Sequence, residues 1–121
     1  MSQITTHVLD TARGCPADGL AIQLFERHGD EWVLRGDGVT NSDGRIGDLL
    51  PPETILAAGE YRMHFATGPY LSLHAAALSE TEDSAPFYPY VDVVFHLRDG
   101  GEHYHIPLLL SPYSYSTYRG S

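Results

Sequence analysis

The sequence predicts an all-β fold, an antiparallel sandwich or barrel carrying one short helix. Two observations predict it. Segments with period-two alternation or β-branched and aromatic enrichment recur between Gly, Pro, Asn and Asp turn signals along most of the 121 residues. A single window combines good helix formers with a proline at its start.

Thr5 to Leu9 forms the first expected strand, ended by the loop Ala12-Arg13-Gly14-Cys15-Pro16-Ala17-Asp18-Gly19, where Gly and Pro interrupt the backbone. Leu20 to Arg27 is the second. The turn His28-Gly29-Asp30 returns the chain into Glu31 to Leu34, and the polar turn Asn41-Ser42-Asp43-Gly44 delivers Arg45 into a short strand or edge. Glu60 to Thr67 is a further strand. The helix is expected over Tyr70 to Leu78, behind Pro69, with Ser79 to Pro86 as an acidic exposed loop. Tyr90 to Arg98 reads as a strand with Val91, Val93 and Phe95 on one face. The Asp99-Gly100-Gly101 signal predicts a hairpin pairing that strand with Glu102 to Leu110. Ser111-Pro112 then breaks the run before a terminal aromatic strand through Tyr113, Tyr115 and Tyr118. No internal repeat divides the chain, and its length suits one domain over residues 1–121.

Sixteen acidic against seven basic residues give a formal charge of -9, which disfavours a surface that follows nucleic-acid phosphates or anionic lipid. An anionic small ligand would have to be gathered by a local cluster of Arg and His. All seven basic residues are arginine, so Schiff-base and lysine general-base mechanisms are excluded. Cys15 is the single cysteine and no intrachain disulfide can form; beside Pro16 in a Gly-rich turn it reads as structural. The start Met1-Ser2-Gln3-Ile4-Thr5-Thr6-His7 has no secretory pattern and no stretch reaches a membrane-span length, so the expectation is a cytoplasmic protein with no membrane partner.

Residues two apart on a strand share a face, so His103 and His105 point the same way, opposite to Tyr104, Ile106 and Leu108. Imidazole takes and gives a proton near neutral pH, as general acid–base catalysis requires. His7 shares its face with Thr5 and Leu9. Three histidines also fit a zinc hydrolase, but no HExxH occurs and the third ligand must come from the far end of the chain. No G-x-S-x-G elbow or phosphate-binding glycine motif is present. Arg45 reads either as a solvated turn residue or as a planar donor to ligand oxygens, and Tyr113, Tyr115 and Tyr118 as edge packing or chemistry.

Two segments decide between these alternatives: Thr6-His7-Val8-Leu9-Asp10 running on to Arg13-Gly14-Cys15-Pro16-Ala17, and the ending His103-Tyr104-His105-Ile106-Pro107-Leu108-Leu109-Leu110-Ser111-Pro112-Tyr113-Ser114-Tyr115-Ser116-Thr117-Tyr118-Arg119-Gly120-Ser121. Both resemble the transthyretin-like family of 5-hydroxyisourate hydrolases. The terminal Tyr-Arg-Gly-Ser is the most specific mark, since the hormone carrier transthyretin shares the Leu-Leu-Ser-Pro-Tyr-Ser-Tyr-Ser core but lacks that tail. The resemblance runs from Ile4 to Ser121 and is weakest over residues 27–39 and 72–86. Tyr90 departs from it, standing where members often carry an acidic residue.

The resemblance implies a transthyretin-like two-sheet sandwich of about eight strands with one short helix, assembled as a homotetramer, a dimer of dimers whose central channel holds the sites. It implies hydrolysis of 5-hydroxyisourate to 2-oxo-4-hydroxy-4-carboxy-5-ureidoimidazoline in urate catabolism, with no metal and no cofactor. His7, Arg45, His105 and Tyr118 become the catalytic residues; His7, Arg45 and Tyr118 also bind substrate, with His103 and Ser121 as further contributors. The alternative is a non-catalytic carrier of a small aromatic ligand.

Overall fold

The computed structural model describes residues 3–75, 85–98 and 102–120. Eight strands and one helix follow in order: β1 Ile4–Asp10, β2 Cys15–Pro16, β3 Ala21–His28, β4 Glu31–Val39, β5 Gly59–Phe65, α1 Thr67–Ala75, β6 Val91–Leu97, β7 Tyr104–Leu110 and β8 Tyr115–Thr117. They form two four-stranded sheets, one ordered β2-β1-β7-β8 and the other β4-β3-β5-β6. This is the two-sheet sandwich of eight strands with one short helix that was expected.

Alternation in the strands builds the core. In β1, Ile4, Thr6, Val8 and Asp10 are buried while Thr5, His7 and Leu9 are half-buried on the other face. In β7, Tyr104, Ile106, Leu108 and Leu110 point inward and His105 outward. Facing them across the sandwich lie Ile22 and Leu24 of β3, Tyr61, Met63 and Phe65 of β5, and Val91 and Leu97 of β6, all within 1 % of complete burial. Val91, Val93 and Phe95 do share the inward face of β6, and Phe95 stacks on Tyr61 with ring centroids 6.1 Å apart. Thr6 is the polar exception in β1, and its hydroxyl donates to the Ile106 carbonyl at 2.6 Å, so its burial leaves no unmet hydrogen bond there.

Four expectations change. The Asp99-Gly100-Gly101 signal does not pair β6 with β7. β6 is hydrogen-bonded to β5, from Gly59↔Leu97 to Phe65↔Val91, and β7 lies between β1 and β8 in the opposite sheet. Residues 99–101 themselves fall outside the described residues. A Gly-Gly signal specifies a change of chain direction. Whether the two arms then pair or cross between sheets is set by where each finds an apolar face to bury.

β7 instead pairs with β1 in parallel, Ile4↔Tyr104 through Asp10↔Leu110, a partnership between opposite ends of the chain. β4 runs five residues beyond its expected end at Leu34, through Arg35-Gly36-Asp37-Gly38, a stretch without strand-forming side chains. The glycines there leave room for the following segment: a Cβ on Gly38 would lie 3.0 Å from Ile46 Cγ2.

The helix begins three residues earlier than expected, at Thr67. Pro69 falls in its first turn, where no intrahelical donor is needed, and the turn is held by Thr67 Oγ1 donating to the Tyr88 carbonyl (2.7 Å) and Gly68 N to the Pro89 carbonyl (2.8 Å). Its expected end, residues 76–78, falls outside the described residues. Cys15 and Pro16, read as loop, form the short β2 against Leu9 and Asp10. No helix among the described residues is long and apolar enough to cross a membrane.

Candidate active site

The β1–β7 pairing gathers the histidines. In a parallel ladder, opposed residues project from the same face, so the register Thr5↔His105 and His7↔Pro107 sets Thr5, His7 and His105 side by side on the outer face of the first sheet. His103 joins them from the approach to β7. The Thr5 hydroxyl lies 2.8 Å from His105 Nδ1 and 3.0 Å from His103 Nε2.

Arg45 comes in over the same face. The Asn41–Gly44 turn is closed by the Gly44 amide on the Asn41 carbonyl (2.9 Å) and by Asn41 Oδ1, which accepts from Asp43 N (2.9 Å) and Arg45 N (3.1 Å). Gly44 takes φ +75°, a region that side chains disfavour. Its carbonyl accepts from the Val8 amide at 2.8 Å, and Arg45 forms an antiparallel bridge to His7. The turn thereby fixes where the arginine leaves the backbone. Among the described residues Arg45 has no ion-pair partner, so its exposed guanidinium is available to a ligand.

Both half-buried histidines are held neutral at physiological pH. Burial lowers the His105 pKa below 6.5, and Arg45, His103 and His7 lower it further. Burial followed by the charge of Arg45 lowers that of His7, opposed by a hydrogen bond to the Asp43 backbone and by the Asp43 charge. A neutral imidazole beside a guanidinium is a combination that can accept a proton from water while the cation holds an oxygen on which charge develops.

The chain terminus closes one side of His105. The Gly120 amide donates to the His105 carbonyl at 2.8 Å, and a Cβ on Gly120 would lie 2.5 Å from the ring Cδ2. Arg119 is tied down by Glu102 at 2.6 Å and lies over the Tyr104 ring, 4.3 Å from its centroid. With Nδ1 on Thr5 and Cδ2 against Gly120, the ring nitrogen of His105 left for a substrate is Nε2.

Five of the expected site residues can be placed, and Tyr118 stands apart from the other four. His7, Arg45, His103 and His105 come together. Tyr118, 60 % exposed, instead lines a cleft of about 370 Å³ at the open edge of the sandwich with Val93, Phe95, Tyr104, Ile106 and Arg119, residues on the other side of β7 from His105. Ser121 lies outside the described residues. Sequence reading gave no role to Thr5 or Gly120. Thr5 had a usable signal, its place two residues before His7 on the same face; Gly120 lay inside the recognised tail. No three His, Cys, Asp or Glu side chains among the described residues converge in a metal-binding arrangement.

Fold and site together define a transthyretin-like β-sandwich with a histidine–arginine cluster on the outer face of one sheet. The chain belongs to the HIUase/Transthyretin family, whose sequence pattern matches residues 4–120. It is 43% identical over 122 residues to the 5-hydroxyisourate hydrolase of Mus musculus, an alignment covering 99% of this chain and 96% of the mouse protein. The solved structure of the 5-hydroxyisourate hydrolase of Klebsiella pneumoniae superposes with a TM-score of 0.76 at 34% identity, covering 100% of both chains. Sea bream transthyretin, solved in complex with thyroxine, superposes with a TM-score of 0.84 at 31% identity, covering 98% of this chain and 95% of that one.

Proposed function

We propose that this protein hydrolyses 5-hydroxyisourate to 2-oxo-4-hydroxy-4-carboxy-5-ureidoimidazoline in urate degradation, with water activated by histidine and no metal. Homologues named for that activity, matched over nearly the whole chain, support the substrate. The observation that supports the mechanism is the meeting of His7 and His105, their pKa values lowered, with an Arg45 that has no ion-pair partner among the described residues, on one sheet face.

In this reading a water loses a proton to His105 as its oxygen attacks the ring carbonyl, while Arg45 holds the oxygen that becomes negative. The ring C–N bond then breaks, and the proton taken by histidine is returned to the departing nitrogen. His7 binds the substrate beside Arg45. The Ser121 end orients substrate or water, and Tyr118, which in the single chain lines the cleft on the other side of β7, reaches a substrate only in another subunit's site.

Assembly belongs to the same reading: a cytoplasmic homotetramer, with two-fold contacts setting the His7 and His105 faces of different subunits across a channel. Such a channel would partly enclose a face that is half open in the single chain.

The carrier reading draws on the likeness to a thyroxine-binding transthyretin. Against it, lining an apolar channel with His7, Arg45 and His105 carries a desolvation cost that a hydrophobic carrier avoids.

The test follows the decay of freshly generated 5-hydroxyisourate by ultraviolet absorbance, with the purified protein exhaustively chelated. Acceleration that survives chelation supports the metal-free hydrolase. Acceleration lost on chelation moves the mechanism to a metal held by the histidines, and none at all leaves the carrier.

A further inference from the structure

Among the described residues the Thr5 hydroxyl is the one group hydrogen-bonded to two of the site's imidazoles, His103 Nε2 at 3.0 Å and His105 Nδ1 at 2.8 Å. A hydroxyl has one hydrogen, and with no other partner for it among the described residues the Thr5 hydroxyl donates to one imidazole nitrogen and accepts from the other. Two arrangements are open. If His103 Nε2–H donates to Thr5 and Thr5 donates to His105 Nδ1, the proton of neutral His105 sits on Nε2, the nitrogen that Gly120 and Thr5 leave open, and the ring cannot take another from water there. If His105 Nδ1–H donates to Thr5 and Thr5 donates to His103 Nε2, His105 presents a bare Nε2. Only the second arrangement makes a base.

We propose that Thr5 is a positioning residue that holds His105 with Nδ1 protonated and Nε2 bare, and that it relays a proton between His105 and His103 during turnover. The proposal rests on the hydrolase reading above for its second half and on geometry for its first.

The relay balances. The water proton arrives at His105 Nε2 as the Nδ1 proton moves to Thr5 Oγ1 and the Thr5 hydrogen moves to His103 Nε2. The hydroxyl is regenerated and the positive charge rests on His103. Reversal restores the Nδ1 proton as Nε2–H is given to the leaving nitrogen. The physical gain lies in where the charge sits. His105 is half-buried and faces Arg45, His7 and His103, surroundings that disfavour an imidazolium, whereas His103 is exposed and water can solvate its charge. The register fixes the relay in place, because Thr5 stands opposite His105 in the β1–β7 ladder and the Tyr104 amide, next to His103, donates to the Gln3 carbonyl at 2.9 Å.

Thr5→Val keeps the shape of the side chain and removes the hydroxyl. The expected result is a fall in kcat of about tenfold to a hundredfold with KM within about twofold, and recovery to within about threefold in Thr5→Ser. A proton inventory in mixed light and heavy water should be curved for the wild type, reporting more than one moving proton, and linear for Thr5→Val. Independently of any substrate, ¹⁵N NMR of the labelled protein should find the neutral His105 with its proton on Nδ1, and a mixture of tautomers in Thr5→Val.

Wild-type kcat in Thr5→Val, or Thr5→Ser no better than Thr5→Val, overturns the relay. A wild-type His105 carrying its proton on Nε2 overturns the positioning role. If the wild type fails to hydrolyse 5-hydroxyisourate, the hydrolase reading and the relay in turnover fall, while the tautomer measurement still decides the placement of His105 by Thr5.

Discussion

Gly120 lies directly against the ring of His105: its amide donates to the His105 carbonyl at 2.8 Å, and a methyl group in place of its α-hydrogen would stand 2.5 Å from the imidazole Cδ2. The end of the chain and the proposed base therefore share one packing arrangement. Glycine at this position is a steric requirement of the site, since either the ring or the tail must shift to admit a side chain.

Gly120→Ala tests this contact. The added methyl should rotate His105 or lift the tail, and a displacement near 1 Å at a reacting group costs up to about a hundredfold in rate. A tenfold or larger fall in kcat/KM with an unchanged thermal midpoint is expected. Full activity would show that the tail moves aside without consequence.

Arg45→Ala and His105→Ala should each leave the fold intact, since both side chains lie on the outer face of the sandwich. A donor aimed at developing charge is worth ~3 kcal/mol, so a loss of about a hundredfold or more in kcat is expected for Arg45→Ala, and at least as much for the proton acceptor. Near-normal turnover with native circular dichroism in either variant would remove that residue from the mechanism.

The lowered pKa values of His7 and His105 predict a pH profile. Each ring takes up its proton at a lower pH than an ordinary histidine, so the acid limb of kcat/KM should lie below 6.5. The same shifts bear on stability. Between the folded values and 6.5 the unfolded chain binds more protons than the folded one, so stability falls on acidification through that window and is recovered above 6.5. Urea midpoints compared at about pH 7.5 and 5.5 should show a decline that His105→Asn reduces. An acid limb above 6.5 would contradict the lowered values.

Tyr70→Phe probes a contact away from the site. The Tyr70 hydroxyl donates to the buried Asp10 carboxylate at 2.7 Å and accepts from Arg13 Nη1 at 3.2 Å, joining α1 to the end of β1. Burial first, and then Asp10, push its pKa up to about 12, so it remains a donor across the working range. Losing it leaves Asp10 with the Ala12 and Arg13 amides and should destabilise the protein by ~1–3 kcal/mol. Chemical denaturation measures the change, and kcat should be unaltered. A variant as stable as the wild type would mean that water replaces the hydroxyl at no cost.

The sequence by itself determined the strands that alternate, β1, β3, β5, β6 and β7, because period two is a local property written in consecutive residues. It also determined that His103 and His105 share a face, and, through the motif at each end of the chain, which residues to suspect. It could not extend β4 through Arg35-Gly36-Asp37-Gly38, where backbone pairing to β3 holds a strand that its side chains do not favour. Nor could it see that Asp99-Gly100-Gly101 joins strands of two different sheets. Tertiary structure alone decided that residues 4–10 lie parallel to residues 104–110, which brings Thr5 to His103 and His105, and that the Asn41–Gly44 turn docks on β1 with Arg45 beside His7 and Gly120 docks on His105. It likewise turned Tyr118 toward the cleft lined by Phe95 and Tyr104. The reason is physical: contacts between residues distant in sequence, those of Thr5 about a hundred positions away, depend on which faces the whole chain can bury together, and no local pattern encodes that choice.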